Sequence, residues 1–225
     1  MRYHTTLGAL AASFALVATL GCGQSAGTDS QSQSVNDLAC SPSSPPAGSK
    51  TALDLTAHEV WDPTGQYFGT PVGSFPTVGS LICPGTEPLD PYTCPAGSRK
   101  IERGLHIPGV AVVNTTIPIE SPDHLTGTVS IVANSNFDAT LAGQVFGTWH
   151  EDIAAGGTWD GTFTGTAMVG GVGCPENSGI PCWTQDVKLV GCGTSGVADG
   201  MHFDATVHIV EFQLAFLEDL DIHIR

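Results

Sequence analysis

The stretches Leu125-Thr-Gly-Thr-Val-Ser-Ile-Val-Ala133 and Gly157-Thr-Trp-Asp-Gly-Thr-Phe-Thr-Gly-Thr166 decide the fold class. In the first, Leu125, Val129 and Ile131 fall on one face of an extended chain, and Thr126, Thr128 and Ser130 on the other. In the second, Trp159 and Phe163 share a face opposite Asp160, Thr162 and Thr164. A period of two marks β-strands with one dry and one wet face. Residues 144–149 and 158–164 flank Ala154-Ala-Gly-Gly157, so they read as a hairpin. Gly161 and Gly165 permit bending or close packing. Gly-Thr-Trp recurs at 147–149 and 157–159, without the fixed long period of a propeller or solenoid.

Outward from this segment the same reading continues. Residues 53–61 form a strand, followed by the turn signal Asp62-Pro-Thr-Gly65. Residues 66–75 and 78–83 read as short strands, and 84–97 as a proline-dotted loop. Residues 99–103 hold three of the few basic side chains. Residues 109–113 are apolar, and Pro118 confines 117–119 to a sheet edge or a bend. Asn134-Ser-Asn136 has turn chemistry. Residues 169–182 read as a glycine loop, 184–190 as a strand and 191–200 as a turn. In the long strand after Met201, Phe203, Ala205, Val207 and Ile209 share a face. The apolar set then becomes Val210, Phe212, Leu214 and Phe216, which predicts a bulge near Ile209. The tail, 220–224, reads as a final edge strand. About nine or ten strands and no helix predict an all-β domain. An antiparallel closed or nearly closed β-barrel removes exposed edges most simply, and a β-sandwich is the alternative.

Charge narrows the partners. Seven Lys and Arg against 22 Asp and Glu give a formal charge of -15. Nucleic acid is excluded as a partner, because phosphate binding needs basic side chains. Electrostatic attraction to anionic headgroups is excluded on the same ground.

Residues 1–21 read as a signal peptide. Arg2 supplies the positive start, and the apolar run 7–20 is too short for a permanent span. Ala18-Thr-Leu-Gly-Cys22 resembles the lipobox of bacterial lipoprotein precursors. The resemblance implies cleavage before Cys22, lipidation of its thiol and anchoring to a membrane. Gly23, where Asp would mark inner-membrane retention, implies the outer membrane. Leu20 and Thr19 depart from the commonest lipobox residues. Two or three acyl chains make such anchoring stable, at about 0.8 kcal/mol per buried methylene. Residues 22–50, rich in Ser, Gln, Gly and Pro, form a tether with almost nothing to bury. Residues 51–225 form a single domain.

With Cys22 lipidated, six cysteines remain: Cys40, Cys83, Cys94, Cys174, Cys182 and Cys192. An even remainder in an exported chain predicts disulfides. Local loop closure favours Cys83–Cys94 and Cys174–Cys182, leaving Cys40–Cys192. The absence of any Cys-x-x-Cys pair argues against zinc.

Motifs for chemistry are sparse. Gly193-Thr-Ser-Gly-Val197 departs from Gly-x-Ser-x-Gly at Val197, and neither a phosphate loop nor His-Glu-x-x-His is present. Asn114-Thr-Thr116 fits a glycosylation acceptor, which a bacterial lipobox makes incidental. His202, Asp204 and His208 share a strand face. His202 and His208 would lie about 20 Å apart at 3.3 Å per residue, too far for one ion. His202 with Asp204, or Asp219, Asp221 and His223, are the candidate ligands for a divalent metal. The plainer reading makes them outward polar faces or a solvated edge. His150-Glu-Asp152, at a hairpin end, reads as exposed turn charge. Trp149, Trp159 and Phe163 are the candidates to line an apolar site, although the same positions suit a core.

Two glycine- and aromatic-rich stretches carry a second resemblance. They are Gly157-Thr-Trp-Asp-Gly-Thr-Phe-Thr-Gly165 and Val190-Gly-Cys-Gly-Thr-Ser-Gly-Val-Ala-Asp-Gly200, ahead of a long final strand. They resemble small extracytoplasmic barrels of the allene oxide cyclase and dirigent type, over about half of the mature chain. The resemblance implies a barrel and transfers no catalytic residue. The leading functional expectation is a non-enzymatic binding or interaction module of the cell envelope, without a cofactor. The alternatives are a barrel for a small apolar ligand, with isomerase-like chemistry, and a metal-assisted enzyme. A deep aromatic lumen would favour the ligand barrel.

Overall fold

The computed structural model describes residues 52–118, 122–174, 182–212 and 215–225. These residues contain nine strands and no helix: β1 (Leu53–Trp61), β2 (Ser80–Ile82), β3 (Lys100–Asn114), β4 (Gly127–Phe137), β5 (Gly143–Ile153), β6 (Gly157–Val169), β7 (Cys182–Gly196), β8 (His202–Phe212) and β9 (Ala215–Ile224). Eight of them follow one another around an antiparallel wall in the order β1-β9-β8-β7-β6-β5-β4-β3, and a β1–β3 pairing closes it. Where β1 and β3 pair, closure leaves no free edge in the wall, as expected for a chain so rich in alternating strands.

β3, as long as β7 at 15 residues, changes neighbours along its length. Residues Ala111 to Asn114 pair with β1, whereas Ile101 to Arg103 pair with the short β2. At one end of the barrel β1 and β3 therefore touch, and at the other they part. The segment between them crosses that gap. The backbone N–H of Ser74 donates to the Pro108 carbonyl, Thr77 and His106 exchange hydrogen bonds, and Trp61 Nε1 donates to the Ser74 carbonyl at 3.1 Å. Two register shifts let β3 bend around this wall, and Gly104 and Gly109 beside them have φ of 65° and 72°. Only glycine takes such angles without strain. The shifts also bring Pro108 into a strand despite its missing N–H.

Each of the eight barrel strands turns side chains inward. Leu55, Ala57, Val129, Val187, Ala205, Val207, Leu220 and Ile222 are all buried in one core. Each buried Val, Leu or Ile among them contributes about 1.5–3 kcal/mol. Trp149 needs more room than the pleat offers, and two inner glycines provide it. A Cβ added at Gly161 would come within 2.4 Å of the Trp149 ring, and one at Gly191 within 2.6 Å.

The expected all-β barrel is the observed fold, as are the Ala154–Gly157 hairpin and the Cys83–Cys94 and Cys174–Cys182 disulfides. Cys192 is also disulfide-bonded; the expectations for Cys22 and Cys40 lie outside the described residues, as do those for the signal peptide and tether. Several local expectations are corrected. The segment 66–83 forms one short strand, because turns pinned by Asp62 occupy its first half. Asn134-Ser-Asn136 continues β4, since β3 and β5 pair with it on both sides. Residues 191–196 extend β7, and the turn begins only at Val197. No bulge interrupts β8 at Ile209; β8 ends at Phe212 and the chain returns as β9. β9 is not an edge, because it lies between β1 and β8.

Candidate ligand-binding lumen

The two ends of the barrel are filled differently. At the end where β1 meets β3, Trp159, Leu125, Ile222 and Ile224 are completely enclosed. Trp159 Nε1 donates to the His124 carbonyl at 2.8 Å, and its ring meets Phe203 edge-on at 5.4 Å. At the other end the inner side chains stop short of one another and leave a cavity of about 430 Å³. That volume lies within the range of small-molecule pockets. Trp149, Phe163, Trp183, Phe216 and Trp61 form aromatic parts of its wall. Trp61 and Phe216 stack at 5.3 Å. The segment from β2 to β3 reaches over the mouth, where Tyr92, Thr93 and Cys94 line the cavity and the Cys83–Cys94 bond staples their loop.

The rim segment is organised by one carboxylate. Asp62, completely buried, accepts hydrogen bonds from the backbone N–H groups of Thr64, Tyr67 and Phe68, at 3.2, 2.8 and 3.0 Å, and from the Thr64 hydroxyl at 2.7 Å. Burial works against its charge, but these donors outweigh it and bring its pKa down to about 2.

Into the apolar cavity the strands also turn carboxyl groups. Glu59 of β1 and Glu218 of β9 are direct cross-strand partners. Glu211 of β8 is diagonal to Glu218, since Glu211 faces Phe216 and Ile209 faces Glu218 in the register. Burial raises the pKa of Glu59, opposed by the hydrogen bond with Glu218. Glu218 is raised well above the usual carboxyl range by burial and then by the charges of Glu59 and Glu211. Two carboxyls in an apolar place cannot both ionise cheaply, so they share a proton. Glu211 is raised to about 7, by burial and then by the charge of Glu102, although Gln185 Nε2 donates to it at 3.1 Å. Glu102 is neutralised separately: Lys100 Nζ lies 2.8 Å from its Oε1, and the Ser135 hydroxyl donates to its Oε2 at 2.7 Å.

A fifth inner glutamate lies deeper. Glu151 of β5 is only 2 % exposed, on the inner face between Trp149 and Ile153. Its Oε1 has no hydrogen-bond partner among the described residues. Burial, followed by the charges of Glu59, Asp123 and Asp152, raises its pKa well above the usual range. This corrects the reading of His150-Glu-Asp152 as exposed turn charge. His150 and Asp152 do face outward, where His150 Nδ1 meets Asp160 at 2.7 Å, but the pleat carries Glu151 into the barrel.

Of the aromatic candidates, Trp149 and Phe163 line the cavity, whereas Trp159 belongs to the sealed core. The metal candidates His202, Asp204, Asp219, Asp221 and His223 stand on the outer face of β8 and β9. There Asp219 pairs with His58, His223 with Asp54, and Asp204 with Lys188 at 3.2 Å. Among the described residues no group of three or more His, Cys, Asp or Glu is placed to hold an ion. The inner glutamates were not singled out from the sequence, yet parity carries the signal. Glu59 continues Leu55 and Ala57, Glu151 continues Val145 and Trp149, and Glu211 continues Val207 and Ile209. No family model, no curated protein and no solved structure matches this chain.

Proposed function

We propose that this chain is a lipid-anchored envelope protein whose barrel holds a small, mainly apolar ligand in its half-hollow lumen. The observation that carries the reading is the 430 Å³ cavity with aromatic walls at one end of an otherwise packed barrel. Close packing is the rule in protein interiors, so a space of this size at an open, lined mouth is a binding site by default. Of the expectations drawn from the sequence, this favours the ligand barrel over an interaction surface. Isomerase-like chemistry would need a group that moves protons near neutral pH, and Glu211 has the pKa for it.

The anchor is argued from Ala18-Thr-Leu-Gly-Cys22, and the wall supports a lipid tail over a membrane-embedded barrel. The outer face of β1, β8 and β9 carries Asp54, His58, His208, Asp219, Asp221 and His223, which hydrocarbon would not tolerate. Cys22→Ser is expected to abolish acyl labelling and membrane fractionation; unchanged labelling would sink the anchor. For the lumen, native mass spectrometry of the exported chain is expected to find a bound mass released on unfolding. A bare chain whose tryptophan fluorescence also ignores hydrophobic probes would sink the ligand reading.

A further inference from the structure

The lumen has more than apolar walls, and four of the five charged side chains that line it are glutamates. Glu59, Glu218 and Glu211 run as a diagonal row across β1, β9 and β8. Among the described residues, Lys100 is the one basic side chain lining the cavity, and its charge is taken by Glu102 beside it. Below the row, Glu151 leaves a carboxyl oxygen without a hydrogen-bond partner among the described residues, and the charge of Glu59 acts on it. Buried polar atoms in folded proteins almost always find partners. Lys100 reaches Glu211 only through its field while it pairs with Glu102, so an enclosed row of three acids has no cation in direct contact and is half of an interaction.

Resting on the reading of the lumen as a ligand site, we propose that its ligand is a small hydrophobic cation. An amine or quaternary ammonium would lay its apolar body against Trp149 and Phe163 and turn its charge toward Glu59, Glu218 and Glu211. Three physical terms point the same way. The aromatic faces at the mouth end, Trp61 and Phe216 among them, attract a cation through the ring quadrupole. A cation supplies the opposite charge that desolvated carboxyls otherwise lack, so it regains what burial removed. An anionic ligand of the same shape meets repulsion from the row, and a neutral one leaves the row as it is.

Proton linkage follows. To bind a cation as carboxylates, Glu59, Glu218 and Glu211 must lose the protons that burial lets them keep, so binding releases protons. Affinity for a cation therefore rises with pH until the row is ionised. The other titratable or charged groups lining the cavity are Glu102 and Lys100 on β3 and Tyr92 over the mouth, and Glu151 lies buried on the inner face of β5 outside that lining. Lys100 and Glu102 hold each other, and Glu151 changes in the same sense as the row.

The test uses the exported full chain carrying Cys22→Ser, so that no detergent competes for the lumen. Three probes of one shape are titrated by calorimetry: 4-phenylbutylamine, 4-phenylbutanol and 4-phenylbutyrate. Near neutral pH the amine is expected to bind roughly tenfold or more tighter than the alcohol, as a charge-assisted contact would give, with the butyrate weakest. Amine affinity is expected to rise between about pH 5.5 and about pH 8 with measurable proton release. Glu218→Gln and, separately, Glu211→Gln are expected to weaken the amine several-fold and leave the alcohol unchanged; the second variant serves if the first fails to fold. Equal affinity of the alcohol and the amine, or an amine affinity flat in pH, overturns the cation. Failure of all three probes to bind overturns the lumen reading itself.

Discussion

The sealed end and the hollow end of this barrel are made by the same strands. They differ in the bulk of the inner residues and in what closes the gap between β1 and β3. At the sealed end those two strands hydrogen-bond directly, and Trp159, Phe203, Leu125 and Ile224 meet across the axis. At the hollow end a loop segment bridges them, and glutamates replace the central aliphatic side chains. The lesson is a division of labour. One end supplies the stability, and the other can then carry a cavity and buried acids, each of which costs free energy on its own.

Paired truncations give the strongest test of that division. Trp159→Ala is expected to destabilise the fold by about 3–5 kcal/mol, as for a fully enclosed aromatic. Phe163→Ala, whose ring already faces empty space, should cost only about 1–2 kcal/mol. Urea unfolding midpoints of the two variants measure this, and equal losses would break the comparison.

Asp62→Asn comes next. It removes the charge that the rim's N–H groups converge on and should cost about 1.5–3 kcal/mol. The effect should stay local, with amide exchange accelerated at residues 64–72 and unaltered around Trp159.

A third prediction uses pH. Glu59, Glu151, Glu211 and Glu218 all have pKa values raised above the ordinary 4.5. The folded chain then holds more protons than the unfolded chain, so stability falls as pH rises from about 4.5 through the raised values. His150 and His208 are raised too, mainly by Asp160 and Asp186, so their contribution is full below about 6.5 and lost above. Asp62 and Asp123, which are lowered, lose theirs only below about 3.8. Thermal midpoints should therefore be several degrees higher near pH 5 than near pH 8. Glu218→Gln should flatten that slope, and an unchanged slope would remove the hollow end as its source.

The smallest effect belongs to the outer wall. Lys188→Ala removes the ion pair with Asp204 and should change stability by less than about 1 kcal/mol, with no effect on probe binding.

Fold class was legible in residues 125–166, because alternation runs through Leu125 to Ile131 and through Trp159 to Thr164. The two local disulfides were legible from spacing. The site was legible only in part. Trp149 and Trp159 look alike in sequence, and what separates them is their height along the axis, which only register reveals. Glu59 and Glu151 have inward parity, but a charged residue at such a position is ordinarily read as solvent-facing, since burial of an unpaired charge is costly. The start of β9 reads in sequence as a continuation of β8, because the shift of apolar parity at Val210 fits a bulge as well as a hairpin. Phe212, which faces outward, is covered by Tyr67 at 5.9 Å, a contact from a distant loop.

The closing seam has a consequence in time. Leu53 faces Ile224 across β1 and β9, so β1 waits for a strand more than 150 residues further along the chain. A chain delivered N-terminus first can build the β4–β5–β6 hairpins as they emerge, but it cannot seal the wall until β9 arrives. Such distant pairing makes folding slow relative to local structures. Until that moment β1 and β8 are open templates for another chain. Loss of the final ten residues would therefore yield sticky, unsealed sheets and not merely a shorter barrel.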